Sequence, residues 1–218
     1  MTIMKEKKTT GNRKTMALII FSVLVGIVLA VLFPNFLDLN SLNWIAAIVY
    51  LGAVFVFLGF FHLILHELGH LIFGLLSGYR FSSLRFFNHM WMKRGGRIVH
   101  RKLELSYFAG QCLMIPPEPA NGKFPFLLYN LGGALMNLIA AMISGVLLFR
   151  FGGVRFLAPL LLLNSIVGLL AFISNTFPFR VGNDGRNILD ALKSSAARDS
   201  LRFQLLQAER MTKGDRLR

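Results

Sequence analysis

The stretch Leu63-Ile64-Leu65-His66-Glu67-Leu68-Gly69-His70 decides how this chain is read. It sets an H-E-x-x-H pattern inside a long apolar run, Trp44–Leu76. On a helix, His66 and His70 fall one turn apart on the same face, so both imidazoles reach a single ion. Glu67 stands beside them, able to hold or deprotonate a water molecule. Nitrogen ligands at this spacing suit zinc, a Lewis acid that brings the pKa of water down to about 7. A short pattern of this kind also arises by chance, and buried histidines often only hydrogen-bond a neighbour. Inside an apolar run, however, a carboxylate and two imidazoles each need partners, and such groups are functional candidates by default.

The run of 33 residues is about 50 Å long as a straight helix, against about 30 Å of bilayer hydrocarbon. It must tilt, project at one end, or break near Gly52 or Gly59, and the sequence leaves all three open. Measured from Trp44, His66 lies about 33 Å along the helix. Residues 71–76 stay apolar, so the motif is recessed rather than exposed at the end of the run. Gly78 is placed to end the helix as a left-handed cap.

Composition agrees with a polytopic membrane chain. Of 218 residues, 55% are hydrophobic and only 16% charged, yet the formal net charge is +14. The lysines and arginines fall between apolar runs, which fits positive loops on an anionic inner leaflet and argues against nucleic acid as a partner. The single cysteine, Cys112, excludes an intrachain disulfide framework and a cysteine zinc site.

On the amino-terminal side, residues 1–15 are basic. Residues 16–36 then form an apolar run long enough to span, longer than a signal-peptide core and with no cleavage site after it. This predicts a retained first transmembrane helix with its amino end in the cytoplasm. The connector 37–43 has no Lys or Arg and belongs outside.

On the carboxyl side, residues 79–123 carry eight basic residues against Glu104 and Glu118, so this loop is placed in the cytoplasm. Lys93-Arg94-Gly95-Gly96-Arg97 is a turn signal between apolar stretches and predicts a small β-hairpin against the inner leaflet. His89 and His100 are expected to be surface or interface histidines rather than ligands. A third span is expected over 124–150 and a fourth over 155–175. In the third, Gly132-Gly133 allows another helix to come close, and Asn137 requires a polar partner or contacts substrate; Asn164 in the fourth is expected to join helices. Residues 176–218 predict amphipathic helices lying on the inner surface. The expected fold is therefore all-α and polytopic: four transmembrane helices, a small cytoplasmic β-hairpin, a C-terminal amphipathic tail and both termini in the cytoplasm.

That topology supplies a test of the first motif. The second and fourth spans run in the same direction, and just beyond the fourth comes Asn175-Thr176-Phe177-Pro178-Phe179-Arg180-Val181-Gly182-Asn183-Asp184-Gly185. Asp184 is on the correct side to join His66 and His70, and a catalytic zinc takes three protein ligands. The competing role for Asp184 is an N-cap for the helix that follows.

Taken together, the chain resembles the site-2 protease family of intramembrane zinc metalloproteases. The family pairs an apolar-flanked H-E-x-x-H with N-x-x-P-x-x-x-x-D-G at the end of another helix, matched here by His66, Glu67 and His70 and by Asn175, Pro178, Asp184 and Gly185. Its middle helix often carries G-x-x-x-N, matched by Gly133 through Asn137. Two departures stand out: five residues rather than four separate Pro178 from Asp184, so a strict alignment puts Asn183 in the ligand slot, and Ala134 replaces the usual proline. The resemblance implies a zinc endopeptidase of a bacterial cell membrane that cuts membrane-embedded or membrane-associated protein or peptide substrates. It implies His66, His70 and Asp184 as metal ligands, Glu67 as general base, and Asn137 and Asn175 as substrate-binding. The alternative is a proteolytically silent accessory or immunity protein that shields a membrane partner.

Overall fold

A computed structural model describes residues 44–103, 109–119, 125–154, 157–178 and 183–213. The span expected over 16–36, with the basic segment before it, lies outside the described residues. The described chain divides into two compact units: the described parts of Met1–Gly59 with Ser144–Leu163, and Phe60–Ile143 with Asn164–Arg218. All side chains of the candidate site belong to the second unit.

The H-E-x-x-H run is one unbroken helix, α1 (Trp44–Leu76), 33 residues long. No proline interrupts it, and neither Gly52 nor Gly59 breaks it. It ends as the sequence predicts: Gly78 has φ +82° and the Tyr79 N–H returns to the Gly74 carbonyl at 2.9 Å. Two further long apolar helices follow the sheet region, α2 (Leu127–Phe151) and α3 (Leu157–Thr176). Three described helices are thus long and apolar enough to cross a membrane.

The segment after α1 forms more than the expected hairpin, which corrects the all-α assignment. Strands β1 (Arg80–Phe86), β2 (His89–Arg94), β3 (Arg97–Lys102) and β4 (Gly110–Ile115) make an antiparallel sheet in the order β3-β2-β1-β4. The β2–β3 turn is the predicted one. Arg94 pairs with Arg97 across Gly95 and Gly96, both at positive φ, and a two-residue turn of that type matches the twist of the strands. The addition of β1 and β4 follows from burial. Cys112 and Met114 of β4, with Tyr79 and Tyr129, form a buried cluster on which Leu71, Leu84, Phe126, Leu201 and Leu205 pack. A lone hairpin would leave that surface in water.

Past α3, the amphipathic tail consists of α4 (Asp184–Lys193), which buries Gly185, Ile188 and Ala191, and α5 (Ser195–Lys213), which packs against β4 and β1.

Candidate metal centre

The helices meet at the motif because their side chains there are absent or polar. A Cβ built on Gly69 of α1 would collide with the Gly132 carbonyl of α2, and one on Gly132 would come within 2.6 Å of the Gly69 carbonyl. Small residues facing each other are what let two apolar helices bring their backbones together. Gly133, one residue on, faces the His66 ring, where an added Cβ would stand 2.5 Å from Nδ1. Tyr129, one turn earlier, offers its backbone carbonyl to His70 Nδ1, which donates to it at 2.7 Å. That bond places the ring proton on Nδ1 and leaves Nε2 with its lone pair free. The same arrangement orients imidazole ligands in metal proteins.

Asp184 reaches the two imidazoles as the sequence predicts. Its Oδ2 is 3.2 Å from His66 Nε2 and 3.4 Å from His70 Nε2, and the two nitrogens are 3.1 Å apart. The contest between Asn183 and Asp184 ends in a division of labour. Asn183 is the N-cap of α4, its Oδ1 accepting from the Arg186 N–H at 2.8 Å. Asp184 is thereby released from capping and turns to the histidines. The extra residue after Pro178 falls in 179–182, outside the described residues.

These three atoms fit an ion better than they fit one another. Oδ2 of Asp184 is buried close to both imidazoles yet has no hydrogen-bond partner, and the three atoms lie close enough together to share one ion. Ligand atoms about 2.0–2.1 Å from a tetrahedral zinc lie about 3.3 Å apart; the observed edges are 3.1, 3.2 and 3.4 Å. His66, His70 and Asp184 are also the only described group of three or more such side chains placed to share a metal.

Glu67 is enclosed at the edge of this triangle, only 6% exposed. The β4 strand closes over it: the Cys112 backbone N–H hydrogen-bonds its carboxylate, and a Cβ on Gly110 would come within 2.7 Å of Oε1. The Cys112 carbonyl in turn accepts from the Tyr129 hydroxyl at 3.0 Å. Burial, followed by the charge of Glu67, pushes the Cys112 thiol well above its ordinary range. Cys112 is therefore a packed, un-ionised thiol rather than a nucleophile.

The two asparagines lie elsewhere. Asn137 is 1% exposed, and its Oδ1 sits 3.0 Å from Nδ1 of His62. Asn175, at the end of α3, donates from Nδ2 to the Ala171 carbonyl of its own helix at 2.9 Å. His62 was not anticipated. The signal for it was present in the sequence: histidines at 62, 66 and 70 recur every four residues on one helical face, opposite Asn137, Gly133 and Tyr129. His89 and His100 stand as expected on the exposed side of β2 and β3, with Nδ1 of one 3.0 Å from Nε2 of the other.

No protein-family model, curated protein or solved structure matches this chain.

Proposed function

We propose that the chain is an intramembrane zinc endopeptidase that hydrolyses peptide bonds of membrane-embedded or membrane-associated substrates, as the site-2 protease resemblance implies. The supporting observation is the triangle of Nε2, Nε2 and Oδ2 atoms with a buried carboxylate beside it. His66, His70 and Asp184 hold the ion. A bound zinc supplies a Lewis acid that polarises the scissile carbonyl and acidifies water. Glu67 takes the proton from the attacking water and gives it to the departing amine, so the C–N bond breaks as water adds across it. The Cys112 N–H steadies the Glu67 carboxylate for that exchange, and β4 keeps bulk water from it. A helical substrate hides its carbonyls in hydrogen bonds, so the segment to be cut must be held extended. The sheet edge nearest Glu67 is β4, which offers backbone for strand addition.

The test combines metal and turnover. Purified wild type should carry one zinc per chain and cut a fluorogenic peptide containing a transmembrane segment, and Glu67→Gln should keep the zinc and lose the cutting. Wild-type protein that takes up no zinc, or a Glu67→Gln variant as active as wild type, refutes the proposal.

A further inference from the structure

The polar cluster one turn before the metal triangle has no part in the chemistry described above, yet it is as buried as the triangle itself. His62 lies in the middle of α1 at 2% exposure. Its Nδ1 is 3.0 Å from Asn137 Oδ1 of α2, and its Nε2 is 3.1 Å from Oδ1 and 3.3 Å from the backbone carbonyl of Asn164 of α3. Asn164 also reaches the Ala140 carbonyl of α2 at 3.5 Å. Gly168, one turn further along α3, lets this happen: an added Cβ would stand 2.6 Å from His62 Cε1 and 2.8 Å from the Asn137 carbonyl. One imidazole thus joins the three long described helices.

We infer that His62 is a positioning residue for the metal centre: by fixing Asn164 against α1 it sets the height of α3, and hence the place of Asp184. This rests on the metal-centre reading above. The link from His62 to Asp184 runs through a regular helix and the contacts at its end. From Asn164, α3 runs on as a regular helix to Thr176. There Asn183 Nδ2 donates to the Ser174 carbonyl at 3.3 Å and to the Phe177 carbonyl at 2.6 Å. Gly185 packs so closely on the Thr176 carbonyl that a Cβ would collide with it. Asp184 is held between two residues pinned to the end of α3, so it moves when α3 moves. His66 and His70 belong to the same rigid helix as His62.

The spacing shows why such a device is needed. Apolar helices slide past one another at little cost, because leucine in lipid and leucine on a helix are equivalent. A slip of one residue is about 1.5 Å, whereas metal–ligand distances tolerate about 0.2 Å. The contacts of α1 with α2 at Gly69, Gly132 and Gly133 fix only that pair. The polar contact of His62 with Asn164 fixes α3, the helix that brings the third ligand.

The test uses full-length protein in detergent and Co2+, whose visible absorption reports both occupancy and coordination geometry. Four proteins are compared: wild type, His62→Leu, His62→Gln and Asn164→Ala. Co2+ affinity is read by competition with a chelator, and folding by thermal unfolding of the metal-free protein. His62→Leu should bind Co2+ about tenfold to a hundredfold more weakly, the range for partners that orient ligands, with an altered absorption band. Asn164→Ala, which keeps the backbone carbonyl of residue 164, should show a smaller loss. His62→Gln, whose amide can both donate and accept, should recover most of the affinity and the wild-type band. A general packing role predicts something different: His62→Leu and Asn164→Ala would melt earlier yet bind Co2+ with wild-type affinity and spectrum, and that result overturns the inference. Should His62→Leu fail to fold, Asn164→Ala and His62→Gln decide by the same readout. Wild type that takes up no Co2+ would instead sink the metal-centre reading on which the inference rests.

Discussion

The two halves of α1 are alike in apolar content and differ on the face that carries their small and polar residues. In the N-terminal half, Ile48, Val49, Val56 and Phe57 are more than half exposed, and a Cβ on Gly52 or Gly59 would meet nothing within 4 Å among the described residues. In the C-terminal half, Gly69 and Gly74 have no room for a Cβ, and His62, Glu67 and His70 are buried. Both halves are rich in large apolar residues, so hydropathy alone cannot separate them. What separates them is the placing of small and polar residues on one face. Where glycine meets glycine across two helices the backbones close up, and the space is then narrow enough to hold imidazoles in fixed rotamers. The lesson is that the apolar run makes the helix, while its interruptions make the site.

The widest separation between the halves should come from Glu67→Gln. A positioned general base contributes about 10²–10⁴-fold to the rate, so peptide hydrolysis should fall by that much. Zinc content and melting temperature should be nearly unchanged, because glutamine fills the same space beneath β4. Assay of cutting beside metal analysis checks both halves of this statement. Activity equal to wild type would make Glu67 a packing residue like its neighbours in the N-terminal half.

Asp184→Asn should act on the metal instead. The amide is a weak zinc ligand, and the substitution leaves two nitrogens where a catalytic site uses three protein ligands. Zinc retained after dialysis against a chelator should drop from one per chain toward zero, with activity lost in parallel. Retention at the wild-type level would remove Asp184 from the ligand set and leave the triangle as a hydrogen-bonding cluster.

Much of this was legible in the sequence, for a physical reason. The described long helices and the glycine turn at 95–96 follow from apolar length and turn chemistry, and the meeting of Asp184 with His66 and His70 follows from the shared direction of the spans that carry them. Less legible were features whose cause is tertiary. The sheet was underread because β4 has no alternating pattern; Cys112, Leu113 and Met114 are all buried, so the strand looks like any short apolar run. His62 was missed because it stands outside the H-E-x-x-H pattern. Asn137 needs a polar partner and Asn164 joins helices, and the residue that meets both is His62, the remaining histidine on the same face. The choice between Asn183 and Asp184 turned on which of them caps α4, and capping depends on backbone geometry that spacing alone does not define.

A pair of glycine substitutions compares the halves directly. At Gly69 an alanine must push aside the Gly132 backbone, which has no flexible end to yield, and overpacking of that kind costs about 1–3 kcal/mol. At Gly52 the new methyl meets none of the described residues within 4 Å, and the replacement should be neutral or stabilising by up to about 1 kcal/mol through helix propensity. Unfolding in detergent with a denaturant series measures both. Equal effects at the two positions would mean that the close approach of α1 and α2 is not a determinant of stability.

The smallest effect concerns the neighbour of Asp184, the proposed third ligand. Asn183→Ala removes the cap of α4, a loss of about 1 kcal/mol for a typical N-cap, together with the two side-chain bonds that hold the loop to Ser174 and Phe177. Asp184 keeps its carboxylate, so zinc should still bind, only more weakly and with faster loss to a chelator. The stability change and the metal change should therefore be correlated in Asn183→Ala and uncoupled in Asp184→Asn, where the cap is intact and the ligand is gone. If Asn183→Ala instead released zinc as completely as Asp184→Asn, residue 183 would itself be a ligand, and the strict spacing of the family pattern would hold after all.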